Sequence, residues 1–158
     1  EWYLKTLDIS GLSFHKVMQT AEKTDAMNEW GSIVALTYIA AQRTYPDYSD
    51  MAQAKAVLES IARSYGYRFA KLKNVRVNTI SQSPTKTTAG AGISGFDVFY
   101  DFAQMMSPLG NASAEDCANY IVLMFSDLSR KVTMQNLMDD GGFCSTGITE
   151  DLVEKLSK

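Results

Sequence analysis

A chain of 158 residues is long enough to bury a sizeable core, and 46% hydrophobic, 21% charged and 11% aromatic residues describe an ordinary globular protein. The net charge of −3, with a pI near 5.1 and no Lys/Arg block, leaves no electrostatic case for nucleic acid or an anionic membrane. No apolar run approaches the roughly 18 residues needed to cross a bilayer.

The chain opens at Glu1 in mid-pattern, so a preceding segment is expected to be missing. From Leu7 to Ala21, apolar residues recur at three- and four-residue spacing (Ile9, Leu12, Phe14, Val17, Met18, Ala21), which predicts an amphipathic helix. His15 lies beside that stripe and reads as structural or solvated. After a polar connection at Asp25–Gly31, the run Ser32–Tyr38 is apolar and β-branched, the pattern of a strand buried on both faces. A loop at Gln42–Asp47 holds Pro46, and Ser49–Tyr65 is predicted helical with Met51, Ala54, Leu58, Ile61 and Tyr65 on one stripe.

A second strand is expected at Asn74–Ile80, breaking into Ser81–Thr88. Three glycines within Ala89–Gly95 predict the most mobile part of the chain. Phe96–Met106 is helical until Pro108, and Ser113 with Asp116 three residues later caps a helix over Glu115–Leu128. The last strand is placed at Val132–Met138, followed by a turn at Asp139–Gly142 and a weak terminal helix from Thr149. The Asp139–Asp140 pair reads as a turn rather than an acid–base couple, and Met105, Met106, Met124, Met134 and Met138 as packing. Cys117, Cys144 and the lone His15 form neither a disulfide framework nor a metal site, so reduced thiols of a cytosolic protein are expected.

Strands that alternate with helices at this spacing imply right-handed crossovers and a parallel sheet. Three strands are few for such a sheet. The expected fold is therefore α/β, the C-terminal part of a Rossmann-like doubly wound parallel sheet. Residues 1–158 are expected to form a single domain that lacks its N-terminal glycine-rich half.

The residues with chemistry are Tyr48 and Lys55. Seven residues at about 100° each come close to two full turns, so both side chains share one face of a helix that begins near Tyr48. A phenol can hydrogen-bond an oxygen that gains negative charge. A neighbouring ammonium favours that charge and can hold the sugar hydroxyls of a dinucleotide. The spacing alone also occurs by chance in many helices.

The flanking residues add to it. The stretch Ala35-Leu-Thr-Tyr-Ile-Ala-Ala-Gln-Arg-Thr-Tyr-Pro-Asp-Tyr-Ser-Asp-Met-Ala-Gln-Ala-Lys55 resembles the active-site region of the NADH-dependent enoyl-acyl-carrier-protein reductases. These are the divergent branch of the short-chain dehydrogenase/reductase superfamily. Ordinary members of that superfamily carry Tyr-x3-Lys; here that position is Met51, and the tyrosine has moved back to Tyr48. Tyr38, Arg43 and Pro46 stand where the family has them, as do Val75–Pro84, Ser107–Gly110, Phe125–Ser129 and Asp139–Phe143. Two departures are visible: Ser83 replaces the glycine that many relatives carry before the proline, and the opening glycine-rich turn is not in these residues.

The resemblance implies reduction of a trans-2-enoyl thioester on acyl carrier protein, with NADH as cofactor, in a cytoplasmic homotetramer. It implies Tyr38, Tyr48 and Lys55 as catalytic residues, and Thr37, Lys55, Pro84, Thr85 and Thr87 as cofactor contacts. Substrate contacts would be Tyr38, Tyr48, Met51, Phe96 and Phe99; Met51, Phe96 and Phe99 read equally as core, and Tyr38, taken without the resemblance, reads as a strand-end aromatic covering the core. The rivals are a conventional short-chain dehydrogenase acting on a carbonyl, and a catalytically inert fragment that serves as an assembly piece.

Overall fold

The computed structural model describes residues 1–46, 48–88 and 95–158. Its backbone forms two compact units: residues 1–80 with 121–137, and residues 81–120 with 138–158. Three strands, β1 (Ser32–Thr37), β2 (Arg76–Gln82) and β3 (Asn136–Asp139), form one parallel sheet in the order β1-β2-β3. This is the α/β sheet the alternating pattern predicts.

In the first unit, α1 (Trp2–Leu7) runs through a π-helical segment (Asp8–Leu12) into α2 (Ser13–Lys23), so the helix starts before Leu7 and carries an extra residue in mid-course. Gly11 sits in that segment, where a Cβ would lie 2.9 Å from the Ala54 carbonyl oxygen; only glycine allows the approach. Phe14, Met18 and Ala21 face the core as predicted, while Ile9, Leu12 and Val17 are exposed. The long helix α3 (Ser49–Lys73) outlasts its predicted end at Tyr65 by two turns and stops at Asn74, a left-handed cap at φ 56. Ala62, Tyr65 and Phe69 of α3 meet Met18, Val75 and Val77 to make the core.

β1 differs from expectation: most of it is half-buried and Leu36 is exposed, because in this chain β1 is an edge of the sheet. β2 is the strand buried on both faces, although Arg76, Asn78, Thr79 and Ser81 are polar. Arg76, Asn78 and Thr79 are satisfied by the segment that leads into β3. Arg76 donates to the Ser129 carbonyl and hydroxyl oxygens (3.0 and 2.7 Å) and to the Ser126 carbonyl (3.3 Å). Asn78 donates to Val132 O and accepts from Gln135 N (2.9 and 3.1 Å). β3 accordingly begins four residues later than predicted. Residues 132–135 are held partly by side chains and partly by two backbone bonds, Met134 N to Val77 O and Thr79 N to Gln135 O (2.7 and 2.9 Å), and Met134 is left-handed at φ 61. Gly66 makes room for it, since a Cβ there would stand 2.6 Å from Met134 Cγ.

In the second unit, α4 (Phe96–Met106) has the predicted bounds and starts after Gly95, at φ 75. The reading of Ala89–Gly95 as mobile otherwise falls on residues 89–94, outside those described. α5 (Ala114–Phe125) opens with a reciprocal cap: Ser113 Oγ accepts from Asp116 N (3.1 Å), and Asp116 Oδ2 accepts from Ser113 N (2.8 Å). Asp140 accepts from Gly142 N and Cys144 N (both 3.0 Å), which makes it the turn residue the sequence suggested. Thr149 caps α6 (Glu150–Leu156) and donates to Met105 O (2.7 Å).

Asp139, at the end of β3, has one carboxylate oxygen, Oδ2, buried and without a partner among the described residues. Burial first, then the charges of Asp116 and Asp140, hold its carboxyl above the usual carboxylate range. The native state therefore takes up this proton before the unfolded state does. Asp139 accordingly costs stability at neutral pH, and the cost fades as pH falls toward the ordinary value of about 3.9. Asp139→Asn should raise the melting temperature at pH 7 by about 2–4 °C, from roughly 1 kcal/mol of relieved burial. Melting curves at pH 7 and at about pH 4 check this: the advantage of the variant must shrink at the lower pH.

Candidate active site

The end of β1 and the start of α3 build the centre of the first unit. Thr37, the last residue of β1, is buried and donates its hydroxyl to Glu59 Oε1 at 2.8 Å. Tyr38 follows, and the chain turns through a 3-10 helix (Ile39–Ala41) whose Ile39 and Ala40 are buried. Tyr48 is the residue before α3, and Lys55 lies two turns into it.

Two of the expected catalytic side chains meet directly. The rings of Tyr38 and Tyr48 are edge-to-face, with centroids 5.8 Å apart and planes at 81°. Lys55 Nζ donates to the Leu36 carbonyl oxygen at 3.0 Å, so the ammonium is tied to the backbone two residues before Tyr38. One of its three N–H donors is used there; among the described residues, the other two have no partner. Burial pushes the Tyr48 phenol up and the Lys55 ammonium down from their ordinary values. The Tyr38 phenol is pushed up furthest, first by burial, then by Tyr45 through its charge and a hydrogen bond, then by Tyr48. At neutral pH both phenols keep their protons, and Tyr48 can donate.

The other expected positions are distributed as follows. Met51, in the first turn of α3, is half-buried. In the second unit, Pro84 and Thr85 are half-buried and Thr87 is exposed. Thr85 Oγ1 donates to Ser83 O at 3.1 Å, so the hydroxyl is used locally and a ligand would meet backbone groups. Phe96 and Phe99 are half-buried on α4, and Phe96 stacks at 6.2 Å on Tyr100, over whose ring Lys86 Nζ sits at 4.3 Å. Ser83, where many relatives carry glycine, is buried and employed: its hydroxyl accepts from Ala112 N at 2.9 Å, and its N–H donates to Asp139 O at 3.0 Å.

Sequence reasoning missed two residues here. Glu59 is buried on α3 and accepts from Thr37, from Gln42 Nε2 (3.1 Å) and from Asn136 Nδ2 (3.2 Å). An acid on a helix gives no local signal of this kind. Tyr45 contacts Tyr38, with centroids 5.5 Å apart and planes at 54°; the cluster of tyrosines at 38, 45 and 48 was its available signal. No group of three or more metal-ligating side chains occurs among the described residues.

Comparison with known proteins gives a uniform result. A family model described as enoyl-(acyl carrier protein) reductase matches residues 1–144. The chain is 35% identical over 147 residues to enoyl-[acyl-carrier-protein] reductase [NADH] 1 of Rhizobium meliloti, covering 92% of this chain and 53% of that protein. It is 34% identical over 142 residues to the Bacillus subtilis enzyme FabI, covering 89% and 54%. Among solved structures, the FabI–NADH complex from Alistipes finegoldii superposes with a TM-score of 0.93 at 63% identity, covering 95% of this chain and 53% of that one. The Plasmodium berghei enoyl-acyl-carrier-protein reductase with triclosan gives 0.85 at 31% identity, covering 94% and 52%. The chain thus spans about half the length of the relatives it matches.

Glu59 is the contact on which the centre rests. Glu59→Ala would leave the Thr37, Gln42 and Asn136 donors without their acceptor, at a cost of about 2–4 kcal/mol. Glu59→Gln, which keeps one accepting oxygen, should cost about 1 kcal/mol. Urea unfolding of the two variants checks the ranking; equal midpoints for Ala and wild type would remove Glu59 from this role.

Proposed function

This chain belongs to the enoyl-(acyl carrier protein) reductase family, and from that premise we propose that it carries the catalytic centre for NADH-dependent reduction of a trans-2-enoyl thioester. The observation that carries the reading is the Tyr38–Tyr48 pair after β1, with Lys55 anchored at the Leu36 carbonyl beside it. The presence of Met51 in place of the Tyr-x3-Lys tyrosine favours this branch over a conventional carbonyl-reducing dehydrogenase.

The residues fit the cofactor. Lys55 keeps two donors for ribose hydroxyls, and Thr85 leaves its backbone groups for a carboxamide. NADH, when bound, supplies the hydride. What this chain adds is electrostatic. Tyr48 donates to the thioester oxygen as that oxygen gains charge, and Lys55 lowers the energy of the same charge. Tyr38 lines the thioester end. The contacts of Thr37, Pro84, Thr85 and Thr87 with cofactor, and of Met51, Phe96 and Phe99 with the acyl chain, belong to the same proposal.

In this reading, residues 1–158 are the C-terminal portion of one Rossmann-like reductase domain, working in the cytoplasm as a homotetramer with acyl carrier protein as partner. The relatives' names, which specify an acyl-carrier-protein substrate, support the partner. Among the described residues, no helix is long and apolar enough to cross a membrane.

In the complete protein, Tyr48→Phe should lower kcat with crotonyl thioester and NADH about 10²-fold, with little change in cofactor affinity. Turnover of simple ketones without enoyl turnover would instead select the conventional dehydrogenase. The alkaline limb of the rate profile has a definite sign as well. Lys55 is lowered and Tyr48 raised, so activity is lost as Lys55 gives up its proton, below the ordinary lysine value of about 10.4. Lys55→Arg should move that limb to higher pH; an unmoved limb would show that another group sets it.

A further inference from the structure

Ser83 is the residue at which β2 gives way to the loop of proposed cofactor contacts, Pro84 and Thr85. Pro84 disfavours a helical turn at Ser83, so the chain leaves the sheet extended. Ser83 is buried, and each of its three polar groups is engaged by a different segment. Its N–H donates to Asp139 O at the end of β3 (3.0 Å), and its carbonyl accepts from Thr85 Oγ1 within the loop (3.1 Å). Its hydroxyl accepts from Ala112 N (2.9 Å). Only this last bond needs the side chain; alanine would keep the other two.

Ala112 lies in the connection between α4 and α5, and that connection is tied in turn to α4. Asn111 N donates to Gln104 Oε1 (3.0 Å), and Asn111 Nδ2 donates to the Tyr100 carbonyl (2.9 Å). The connection has little slack. Gly110 is left-handed at φ 75, and its carbonyl oxygen lies so close to Gly141 that no Cβ could be placed there. Phe96, a proposed acyl contact, stacks on the same Tyr100. A continuous path of hydrogen bonds therefore leads from the loop to the helix proposed to meet the acyl chain.

We infer that Ser83 is a positioning residue: through its hydroxyl on Ala112 it couples the loop of Pro84 and Thr85 to α4, so that a cofactor which orders the loop also orders the acyl-contacting helix. The inference rests on the enoyl-thioester reading of the same site. A cofactor that fixes the loop removes part of the freedom of α4. An acyl thioester that fixes α4 meets a loop already held, and each ligand helps the other by the same factor. Ser83 itself moves no proton and takes no part in the chemistry.

In the complete protein, NADH should slow amide exchange both at residues 84–88 and along α4. In Ser83→Ala the loop should still gain protection and α4 should not. Butyryl thioester, which cannot be reduced, should tighten NADH binding about fivefold in the wild type, the worth of one ordinary hydrogen bond, and hardly at all in the variant. KM values should rise while kcat at saturation stays within about twofold, because the reacting groups are untouched. Thr149→Val serves as the control: it removes another bond to α4, at Met105 O (2.7 Å), that does not lead to the loop, and it should leave the coupling intact. Protection of α4 retained in Ser83→Ala, or lost equally in Thr149→Val, would overturn the inference. Should Ser83→Ala fail to fold, Gln104→Met cuts the next bond of the path at an exposed position and should lower the coupling in the same direction; unchanged coupling there would overturn the inference too. A protein that bound NADH without enoyl turnover would sink the functional reading alone, since exchange in α4 still reports the latch. One that did not bind NADH would end both.

Discussion

One buried carboxylate organises the first unit. Glu59, 4% exposed, gathers the hydroxyl at the end of β1, the amide of the turn that follows it and the amide that opens β3. A carboxylate in such a place is tolerated only because its oxygens are occupied. The constraint works in both directions. The three donors fix the side chain, and the side chain fixes the register of α3 against the strands. With α3 so placed, Lys55, four residues before Glu59 and one helical turn from it, meets the Leu36 carbonyl. The position of the ammonium is thus a consequence of a contact one helical turn away.

Much of this was legible from the sequence where the signal is periodic or chemical. Helix α4 matched at both ends, because Pro108 and a left-handed Gly95 leave little freedom beyond Phe96–Met106. Tyr48 and Lys55 were legible from spacing together with their neighbours. The late start of β3 was not, because Val132–Gln135 has the hydrophobic pattern of a strand while Met134 adopts φ 61 and Thr133 and Gln135 bond through side chains or single backbone groups. The assignment of burial to β1 rather than β2 failed for a related reason. Apolar composition marked Ser32–Thr37, but hydrogen bonds decided the centre of the sheet, and Arg76, Asn78 and Thr79 carry those. Glu59 was illegible because its partners arrive from distant segments, and Tyr45 showed only as one of three clustered tyrosines.

The second unit shows the opposite electrostatic economy. Its only cations are Lys86, Lys155 and Lys158. Lys86 lies over the Tyr100 ring and Lys158 pairs with Glu154 at 2.7 Å. None of the causes acting on Asp139 is a cation; its neighbours are Asp116 and Asp140. Asp116 is itself held low by Ser113, so it remains ionised and keeps pressing on Asp139. The cap that stabilises the start of α5 and the discomfort at the end of β3 are therefore two effects of one carboxylate. Local helix chemistry was satisfied there at the expense of a neighbouring strand end.

The placement of Tyr48 just outside α3 has its own consequence for the chemistry. The first N–H groups of a helix have no partner inside it, and they present partial positive charge worth about 0.3–1 kcal/mol to an anion nearby. Asp50, in the first turn, uses part of that field. A negative charge developing at the Tyr48 hydroxyl's partner would thus gain modestly from the helix and more from Lys55, whose partial burial lowers the screening around it. The same burial that makes Lys55 effective makes it easier to deprotonate, and the same burial that keeps Tyr48 protonated makes it a weaker acid. The two shifts run in opposite directions: the phenol is held as a donor, and the ammonium is brought nearer to losing its charge. The Leu36 carbonyl holds the ammonium by one hydrogen bond and sets no opposing charge against it, as a carboxylate in its place would.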